Sequence, residues 1–551
     1  MATNKIEQAI KQVLADAIKG SGLLEEITPE EIKVEIPKDT KNGDYSSNVA
    51  MQLTRKLKRN PREIATAIVS GLGDNDVISK VEIAGPGFIN LFLKNDSMTS
   101  IIKEVISEGD HYGCSDYGKG IRYDVEFVSA NPTGDLHLGH AKGAAVGDSI
   151  VRIMRAAGYD VTAEYYVNDA GNQIENLAKS LYARYLQAFG KEAELPEDGY
   201  HGKDVLLIAQ AIKEQYGDAY LKDYQEVRED FRQLGIKAEL DKIKDILEEY
   251  RVHFDVWSHE STTYKENRIE PVLNTLREKG YIFEQDGATW FRTTDFGDDK
   301  DRVLIKSDGT YTYLTPDIAY HKNKFDRGFD YLVDLLGADH HGYINRMKAS
   351  MMALGYNADQ LNIDIMQMVR MVQNGEEVKM SKRTGNAITI KDLIEDIGVD
   401  AARYFFVCKA ASSKFDFDID LATSKSNDNP VFYAQYAHAR MCSILAQAKN
   451  AGITISDQYD LITNPKEIEL VKHINEFRNM VIESAKTRAP HKIANYIQQL
   501  AKLFHSFYGE CKVVDGENVE LSGQRLALVE ATRITLKNAL YLIGVEAPEK
   551  M

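Results

Sequence analysis

The sequence predicts an α/β protein in which a doubly wound parallel sheet lies between an N-terminal α/β domain and a C-terminal α-helical bundle. Three observations predict this. Strand patterns alternate with helical patterns between about residues 113 and 382, which is typical of a parallel sheet with crossover helices. Residues 1–112 mix both patterns. From about residue 383 the helical period continues to the end of the chain.

The length and composition set the outer limits of this prediction. A chain of 551 residues is long enough for about three or four domains. We expect an N-terminal domain (1–112), a central domain (113–382) with a helical insertion at about 172–280, a connecting segment (383–429) and a helical domain (430–551). The sequence has no run of eighteen apolar residues and no signal-peptide pattern, so we expect no membrane contact.

Cysteine and charge narrow the class of protein further. The four cysteines are scattered without a CxxC pair, which argues against a disulfide framework or a zinc site and favours a cytoplasmic protein. A net charge of −17 excludes a protein that coats nucleic acid nonspecifically. Residues 431–551 hold 14 Lys plus Arg against 13 Asp plus Glu, so this region is free of the acidic excess and permits RNA contact.

The elements of the N-terminal domain follow from its periodicity. Ile6, Ile10, Leu14 and Ile18 recur at helical spacing, and two strand patterns at 81–84 and 88–93 flank a Gly-Pro-Gly turn. Between them lies a basic cluster formed by Arg55, Lys56, Lys58, Arg59 and Arg62. A solvated helix face is the better interpretation of this cluster from charge alone, and a contact to phosphates is the alternative.

The remaining elements are predicted in the same way. We expect strands at 123–128, 161–167, 287–292, 303–306, 331–335 and 366–372. We expect helices at 141–157, 392–408, 430–450, 466–486, 490–510 and 521–543. The segment 109–118 is rich in turn-forming residues and is predicted to be a linker.

The first candidate site is the sequence His137-Leu138-Gly139-His140, which follows a strand and a Pro-Thr-Gly turn and opens a helix. Ligands of parallel sheets bind at the carboxyl ends of the strands, and a helix N-terminus attracts phosphate. His137 and His140 are three residues apart, so both can face one ligand, and Gly139 allows close approach. A histidine pair alone is more often a core or surface feature, and a zinc pair lacks a third ligand nearby.

The second candidate site is Lys379-Met380-Ser381-Lys382-Arg383, between Asn374-Gly375 and Thr384-Gly385. A loop with lysines can add positive charge to a triphosphate as the α-phosphate becomes pentavalent. Lys382 is the first choice for this role, with Lys379 assisting. A lysine-rich loop is usually a solvated charge run, and the histidine signature upstream favours the functional interpretation. Together the two sites predict ATP binding.

These motifs resemble those of the class I aminoacyl-tRNA synthetases, and specifically the arginyl-tRNA synthetase family over essentially the whole chain. The resemblance rests on Ser129–Gly134 leading into His137–His140, on Gly337–Tyr343, on Asp400–Phe406 and on Asn429–Arg440. It implies a Rossmann-like catalytic domain, an N-terminal domain that contacts the corner of tRNA, and an anticodon-binding bundle.

The resemblance implies a two-step reaction. Arginine and ATP give arginyl-adenylate and pyrophosphate, and the arginyl group then passes to the terminal ribose of tRNA(Arg). It implies that tRNA must be bound before arginine is activated, that Mg²⁺ accompanies ATP without a dedicated protein site, and that the enzyme is a monomer. Catalytic roles are implied for His137, His140, Lys379 and Lys382, and ATP contacts for these residues with Gly139, His340, His341 and Ser381.

Arginine selection requires carboxylates, because the guanidinium is planar and always charged. By resemblance, Tyr313 and Asp317 hold the guanidinium, and Glu126, Asn131 and Asp339 complete the arginine site. The alternative for Asp317 is a helix N-cap, which could coexist with binding. Implied tRNA contacts are Arg55, Lys56 and Arg59 in the N-terminal domain and Tyr433, Gln435 and Tyr436 in the bundle; the helical spacing of the last three also suits core packing.

Three other functions share part of this sequence pattern. A cysteinyl enzyme of the same class would need a zinc-binding cysteine and histidine set, which the four scattered cysteines do not supply. A small adenylyltransferase shares the His-x-x-His logic but not the long helical tail. A non-catalytic RNA-binding paralogue usually has eroded signatures, whereas both signatures are intact here.

Overall fold

The computed structural model describes residues 4–37, 39–340, 342–380 and 387–551, without the side chains of Thr40 and Asp339. The N-terminal domain contains α1 (Lys5–Gly20), β1 (Val34–Glu35), β2 (Tyr45–Ser47), α2 (Val49–Leu57), α3 (Pro61–Ser70), β3 (Ile78–Ala84), β4 (Phe88–Leu93) and α4 (Asn95–Glu108). Its strands form an antiparallel sheet in the order β1-β2-β4-β3. Asn4 caps α1 by accepting hydrogen bonds from the N–H groups of Ile6 and Glu7.

The central domain is built on a parallel sheet. Its elements are β5 (Arg122–Glu126), α5 (Leu138–Ala156), β6 (Asp160–Val167), α6 (Asn172–Ala188), α7 (Lys203–Tyr216), α8 (Tyr224–Glu249), β7 (Val256–His259), α9 (Glu260–Lys265), α10 (Ile269–Glu278), β8 (Ile282–Gln285), β9 (Ala288–Phe291), β10 (Arg302–Ile305), α11 (Leu314–Asp326), β11 (Tyr331–Gly337), α12 (Tyr343–Leu354) and β12 (Leu361–Met366). Five strands pair in parallel in the order β12-β11-β5-β6-β7. The chain order changes direction between β11 and β5, the place where ligands bind in such sheets.

Two additions extend this sheet. Helices α6, α7 and α8 have their own apolar core and connect β6 to β7. Strands β8, β9 and β10 form a separate antiparallel sheet whose residues share a core with α10, α11 and α12. The parallel sheet and the helical tail confirm the predicted fold class.

A small sheet and three helices connect the central domain to the bundle. They are β13 (Val369–Gln373), β14 (Glu376–Glu377), α13 (Ile390–Ile397), α14 (Val399–Val407), β15 (Phe415–Asp418) and α15 (Ile419–Thr423). The strand order is β14-β13-β15, with β13 and β15 parallel. The hairpin β13–β14 leads directly into the second signature.

The bundle consists of α16 (Pro430–Asn450), α17 (Pro465–Asn475), α18 (Phe477–Thr487), α19 (His491–Glu510) and α20 (Val519–Leu542). The N-terminal domain packs against it: the Asn475 amide donates to the Tyr45 hydroxyl at 3.0 Å, and the Arg478 guanidinium pairs with Glu104 and Glu108. Among the described residues, no helix is long and apolar enough to cross a membrane.

Several predicted element boundaries are wrong. The helix predicted at 392–408 is broken at Gly398, whose φ of 82° ends α13 before α14 begins. The helix predicted at 466–486 is two helices, α17 and α18. The insertion predicted at 172–280 contains β7, which pairs with β6 in the main sheet. The strand predicted at 366–372 spans the end of β12 and the start of β13.

Candidate active site

The first signature lies at the carboxyl end of the central strand β5. The chain leaves β5 after Glu126 and turns through Val128 and Ser129, whose backbone is left-handed (φ 69° and 42°). This conformation is rare for a β-branched residue and concentrates at functional sites. Helix α5 then begins with His137 as its N-cap residue. The predicted strand–turn–helix arrangement is confirmed, and the N-terminus of α5 lies at the carboxyl edge of the sheet.

The two signature histidines are held as hydrogen-bond donors. The Gly139 N–H donates to His137 Nδ1, and the His137 N–H donates to His140 Nδ1, both at 3.2 Å. The rings stack with centroids 3.8 Å apart. Burial lowers the pKa of His137, and burial together with His137 lowers the pKa of His140 to about 4. Because Nδ1 accepts in both neutral rings, the proton is on Nε2 and can be donated to a ligand.

Backbone hydrogen bonds join the second signature to the first. The Leu138 N–H donates to the Ile388 carbonyl at 3.0 Å, and the Ile390 N–H donates to the Leu136 carbonyl at 2.8 Å. The segment that follows the second signature therefore runs beside the start of α5. This contact places residues 388–390 next to the first signature, so the chain returns to the start of α5 after the second signature.

The second signature itself is described only in part. Lys379 is exposed just after β14, with its Nζ 3.6 Å from a Glu377 carboxylate oxygen. His340 is exposed in the one-turn helix that follows β11. Four predicted site positions lie, wholly or in their side chains, outside the described residues: Asp339, His341, Ser381 and Lys382.

A carboxylate without a cation lies on α11. Asp317 lies in the first turn of this helix and is not its N-cap, because α11 begins after Tyr313. Burial raises the pKa of Asp317 to about 7, although His321 opposes the shift. The carboxylates of Glu260 and Glu126 reinforce it. Among the described residues, no Lys, Arg or His nitrogen lies within 4.0 Å of the Asp317 carboxylate oxygens; His321 Nδ1 is hydrogen-bonded instead to the Asp317 backbone carbonyl at 2.8 Å. Tyr313, at the mouth, is 89% exposed.

A second carboxylate of this pocket, Glu260, was missed by the sequence analysis. Glu260 is buried at the start of α9, directly after β7, and the Asn168 amide nitrogen donates to its Oε2 at 2.6 Å. Burial raises the pKa of Glu260, and Asp169 adds to the shift. It too has no cation within 4.0 Å in the described part of the chain. Had residues 256–259 been recognised as a strand, Glu260 would have been predicted at the carboxyl edge of the sheet.

Glu126, by contrast, is held by groups of the protein itself. Lys324 Nζ lies 2.6 Å from Glu126 Oε2, and the Tyr320 hydroxyl donates to the same oxygen at 2.9 Å. The Ser129 hydroxyl donates to Oε1 at 2.9 Å. Asn131, the other predicted arginine-binding residue before α5, donates from its amide to a Gln173 side chain at 2.6 Å, which joins the turn to α6.

The predicted tRNA-binding residues fall into two groups. Arg55, Lys56 and Arg59 are exposed on α2 and the turn that follows it. In the bundle, the rings of Tyr433 and Tyr436 both pack against His505. The third predicted bundle contact is bound internally: the Gln435 amide donates to the Asp400 carboxylate at 2.8 Å and to the Glu546 carbonyl at 3.0 Å. These bonds give Gln435 a structural role in joining α16 to α14 and the C-terminal segment.

Comparison with known families covers most of the chain. Residues 4–93 match the family described as arginyl tRNA synthetase N terminal domain. Residues 102–412 match the family tRNA synthetases class I (R), catalytic domain. Residues 434–551 match the DALR anticodon binding domain.

Individual proteins agree with these family matches. The chain is 54% identical to arginine–tRNA ligase 1 of Halalkalibacterium halodurans over 100% of both chains, and 54% identical to arginine–tRNA ligase of Bacillus subtilis over 99% of this chain and 100% of that one. A solved structure of a putative arginyl-tRNA synthetase from Campylobacter jejuni superposes with a TM-score of 0.76 at 34% identity, covering 83% of this chain and 100% of that one. Thermus thermophilus arginyl-tRNA synthetase shares the fold, with a TM-score of 0.73 at 21% identity over 99% of this chain and 100% of that one.

Proposed function

The chain belongs to the arginyl-tRNA synthetase family, and we propose that it activates L-arginine with ATP and transfers it to tRNA(Arg). The observation that carries this proposal is the pair of carboxylates Asp317 and Glu260, which have no cation within 4.0 Å of their oxygens among the described residues and lie in the domain that also holds the first signature. A pocket with one buried and one half-buried acid, neither paired with a cation, selects a substrate that brings its own positive charge.

Arginine recognition follows from the chemistry of this pocket. A guanidinium has five N–H donors in one plane, and carboxylates can accept them in pairs. We assign the guanidinium to Asp317 and Glu260, with the ring of Tyr313 covering the mouth. Glu126 ends β5 and Asn131 lies in the turn that leads to α5, and we assign both to the α-amino and carboxylate ends of the substrate. Asp339 completes the predicted arginine site.

Adenylate formation uses the two signatures. A carboxylate oxygen of arginine attacks the α-phosphorus of ATP, the α–β phosphoanhydride bond breaks, and pyrophosphate leaves. His137 and His140 are neutral Nε2–H donors at the start of α5, suited to the phosphate oxygens as charge builds in the transition state. Gly139 keeps the approach open, since a Cβ there would lie 3.3 Å from the His137 ring.

The other nucleotide contacts come from the second signature and the end of β11. We assign the positive charges of Lys379 and Lys382 to the phosphates, and Ser381, His340 and His341 to the ATP site. Mg²⁺ enters with ATP as part of the substrate. Among the described residues, no three His, Cys, Asp or Glu side chains are grouped to hold a metal ion, so no step is routed through a protein-held metal.

Transfer and tRNA binding complete the cycle. The 2′-hydroxyl of the terminal ribose attacks the carbonyl carbon of the adenylate, the ester bond forms, and AMP leaves. We assign residues 1–112 to the corner of tRNA, 383–429 to its stem and 430–551 to the anticodon, with Tyr433 and Tyr436 as candidate contacts. We further propose a monomer that acts in the cytoplasm, where the four free cysteines stay reduced.

ATP–pyrophosphate exchange tests the function directly. It is measured for each of the amino acids, with and without tRNA(Arg). Exchange with arginine alone, and only in the presence of tRNA, is the expected result. Exchange with arginine in the absence of tRNA would retain the substrate and refute the tRNA requirement. Exchange with a different amino acid would refute the Asp317–Glu260 assignment, and a folded protein without any exchange would favour a non-catalytic RNA-binding role.

A further inference from the structure

Helix α5 carries a buried lysine directly after the signature histidines. Lys142, two residues after His140, is 2% exposed, and its Nζ donates to the carbonyls of Gln367 at 2.8 Å and Ala411 at 3.0 Å. The ring of Phe415 lies below it, with the centroid 5.5 Å from Nζ. Among the described residues, no carboxylate oxygen lies within 4.0 Å of this ammonium.

The two carbonyls lie just before β13 and β15, two strands of the small sheet that leads into the second signature. Gln367 lies between the end of β12 and the start of β13, and Ala411 lies a few residues before β15. The Gln367 N–H also donates to the Ala411 carbonyl at 3.0 Å. β13 pairs in parallel with β15 and leads through β14 to Lys379. The Lys142 ammonium therefore joins the signature helix to the entry side of the sheet that presents the signature lysine.

A second connection lies on the exit side. There, the backbone hydrogen bonds between 136–138 and 388–390 fix the chain after the second signature to the start of α5. On the entry side the attachment to α5 is the Lys142 ammonium, and on the exit side it is backbone hydrogen bonding. The chain is thus attached to α5 both before and after the second signature.

The ammonium is not explained by stability. Burial of a cation without a carboxylate partner disfavours its charged form, and accordingly burial lowers the pKa of Lys142 to about 8. A methionine has a similar length and would fill the space next to Phe415 without a buried charge. Burial of this charge therefore does not favour folding, and placement of the active site is the role that the contacts of Lys142 support.

We propose that Lys142 is a positioning residue for adenylate formation, whose side chain fixes the sheet carrying Lys379 relative to the helix carrying His137 and His140. This inference rests on the proposed function, since it assigns the purpose of the contact to ATP chemistry. Lys142 touches neither substrate in this arrangement. It acts through the spacing of the two signatures, and a displacement of about 1 Å in such a geometry reduces rates by about a hundredfold.

The test compares Lys142→Met and Lys142→Arg with the wild type in arginine-dependent ATP–pyrophosphate exchange with tRNA present. We expect kcat of Lys142→Met to fall about 10- to 100-fold, with the KM for arginine and the melting temperature close to the wild-type values. Lys142→Arg retains a cation with several donors and should recover most of the lost rate. Lys213→Met is the matched control, because Lys213 also donates to a carbonyl, that of Ala188 at 2.6 Å, and lies over a phenylalanine ring away from the site.

A pH profile separates positioning from mere packing. Above pH 8 the Lys142 ammonium loses its proton and its charge-assisted hydrogen bonds, so kcat of the wild type should decline there. An arginine does not titrate in this range. Lys142→Arg should therefore move the alkaline decline to higher pH, whereas a residue that only fills space would leave the profile unchanged.

The outcomes distinguish the two proposals. Wild-type protein without arginine-dependent exchange overturns the proposed function and this inference with it. An active wild type whose Lys142→Met variant keeps the full kcat overturns the inference alone. If Lys142→Met does not fold, the Lys142→Arg profile decides: an alkaline decline at the wild-type pH overturns the positioning role, and a decline at higher pH supports it.

Discussion

Helix α11 carries two groups of buried acids and bases that differ in one respect. Asp317, near its start, faces Glu260 with no cation of the described chain within 4.0 Å. Lys324, two turns later on the same side of the helix, is fully buried among carboxylates of the sheet. Its partners are Glu126 at 2.6 Å, Asp334 at 3.1 Å and Asp124 at 3.2 Å.

We call Asp317 and Glu260 the upper group, and Lys324 with its carboxylate partners the lower group. The lower group is internally paired. Asp334 also accepts from His321 Nε2 at 2.8 Å, and Arg327 pairs with Glu164. Although burial opposes ionisation, the Lys324 ammonium holds the pKa of Asp334 below its usual range. Burial raises the pKa of Asp124 well above its usual range. This group therefore holds most of its charge balance within the protein.

The difference teaches which acids stabilise the fold and which await a ligand. In the lower group, each carboxylate is either paired with a cation or protonated. The side chains of this group connect α11 to β5, β6 and β11. In the upper group, burial raises the pKa of Asp317 to about 7, and His321 offsets only part of the shift. Carboxylates thus stabilise the fold in one place and are available to bind a cation two turns away on the same helix.

The largest expected effect comes from removing the cation of the lower group. Lys324→Met leaves the carboxylates of Glu126 and Asp334 buried without their partner, and we expect the free energy of unfolding to fall by about 3–5 kcal/mol. Chemical denaturation measures this change. Lys322→Met is the control on the same helix: Lys322 pairs with Asp326 at the surface, and the expected loss is about 0–1 kcal/mol. Equal losses in both variants would refute the distinction.

The second effect concerns the upper group and is catalytic. Asp317→Asn removes the predicted partner of the guanidinium, and we expect kcat/KM for arginine to fall about a hundredfold or more, with the KM for ATP nearly unchanged. The melting temperature should not fall, because an uncompensated buried acid is removed. Asp326→Asn, an exposed acid on the same helix, is the control. A loss of stability without a change in the KM for arginine would place Asp317 in the lower group.

Glu260 gives a smaller and more selective effect. Glu260→Gln keeps hydrogen-bonding capacity but removes one of the two negative charges, and we expect about a tenfold rise in the KM for arginine. The sharper measurement is competition with citrulline, in which a neutral urea replaces the guanidinium. Discrimination between arginine and citrulline should shrink in Glu260→Gln. Unchanged discrimination would mean that Asp317 alone reads the charge.

Acid pH should weaken arginine binding in the wild type without any substitution. A guanidinium binds the ionised form of Asp317, and this residue is protonated below its pKa of about 7. The affinity for arginine is therefore expected to decrease about tenfold per pH unit below pH 7 and to level off above it. Calorimetry in buffers of different ionisation enthalpy should show proton release on arginine binding near pH 7. Binding that is independent of pH between 5.5 and 8 would contradict the shifted pKa.

The sequence analysis found the features that have local signals. The His137–His140 signature, the strand before it and the helix α16 (Pro430–Asn450) were predicted because their patterns are short-range. Asp317 was found through the resemblance. The paired character of Glu126 could not be predicted, because a lysine 198 residues later supplies its cation.

The misses have physical reasons of the same kind. β7 (Val256–His259) is an edge strand of four half-buried residues with no alternation, so it was absorbed into the helical insertion and Glu260 was lost with it. Lys142 looks like a surface lysine in a helix of small residues, and only the fold shows the carbonyls of Gln367 and Ala411 around it. Local sequence patterns predict the type of an element, but they do not predict which distant segments pair with each other.

The smallest expected effect concerns exposed cations that have no acidic partner, which is the reverse of the situation in the upper group. In the described part of the chain, Arg55 and Lys56 have no carboxylate oxygen within 4.0 Å, and Arg59 reaches Glu63 only at 4.0 Å. If these exposed cations contact tRNA phosphates, Arg55→Gln with Lys56→Gln should raise the KM for tRNA a few-fold. The dependence of log KM on log salt should lose a slope of about 1 per cation.

The kcat for aminoacylation at saturating tRNA should stay unchanged, because these residues lie outside the active site. Lys80→Gln is the control in the same domain, since Lys80 already pairs with Glu82 at 2.6 Å. A salt slope that is the same in the double variant and the wild type would show that the basic cluster is a solvated helix face. A reduced slope would extend the rule drawn from α11 to this surface: a charge left without a partner in the fold marks where the ligand binds.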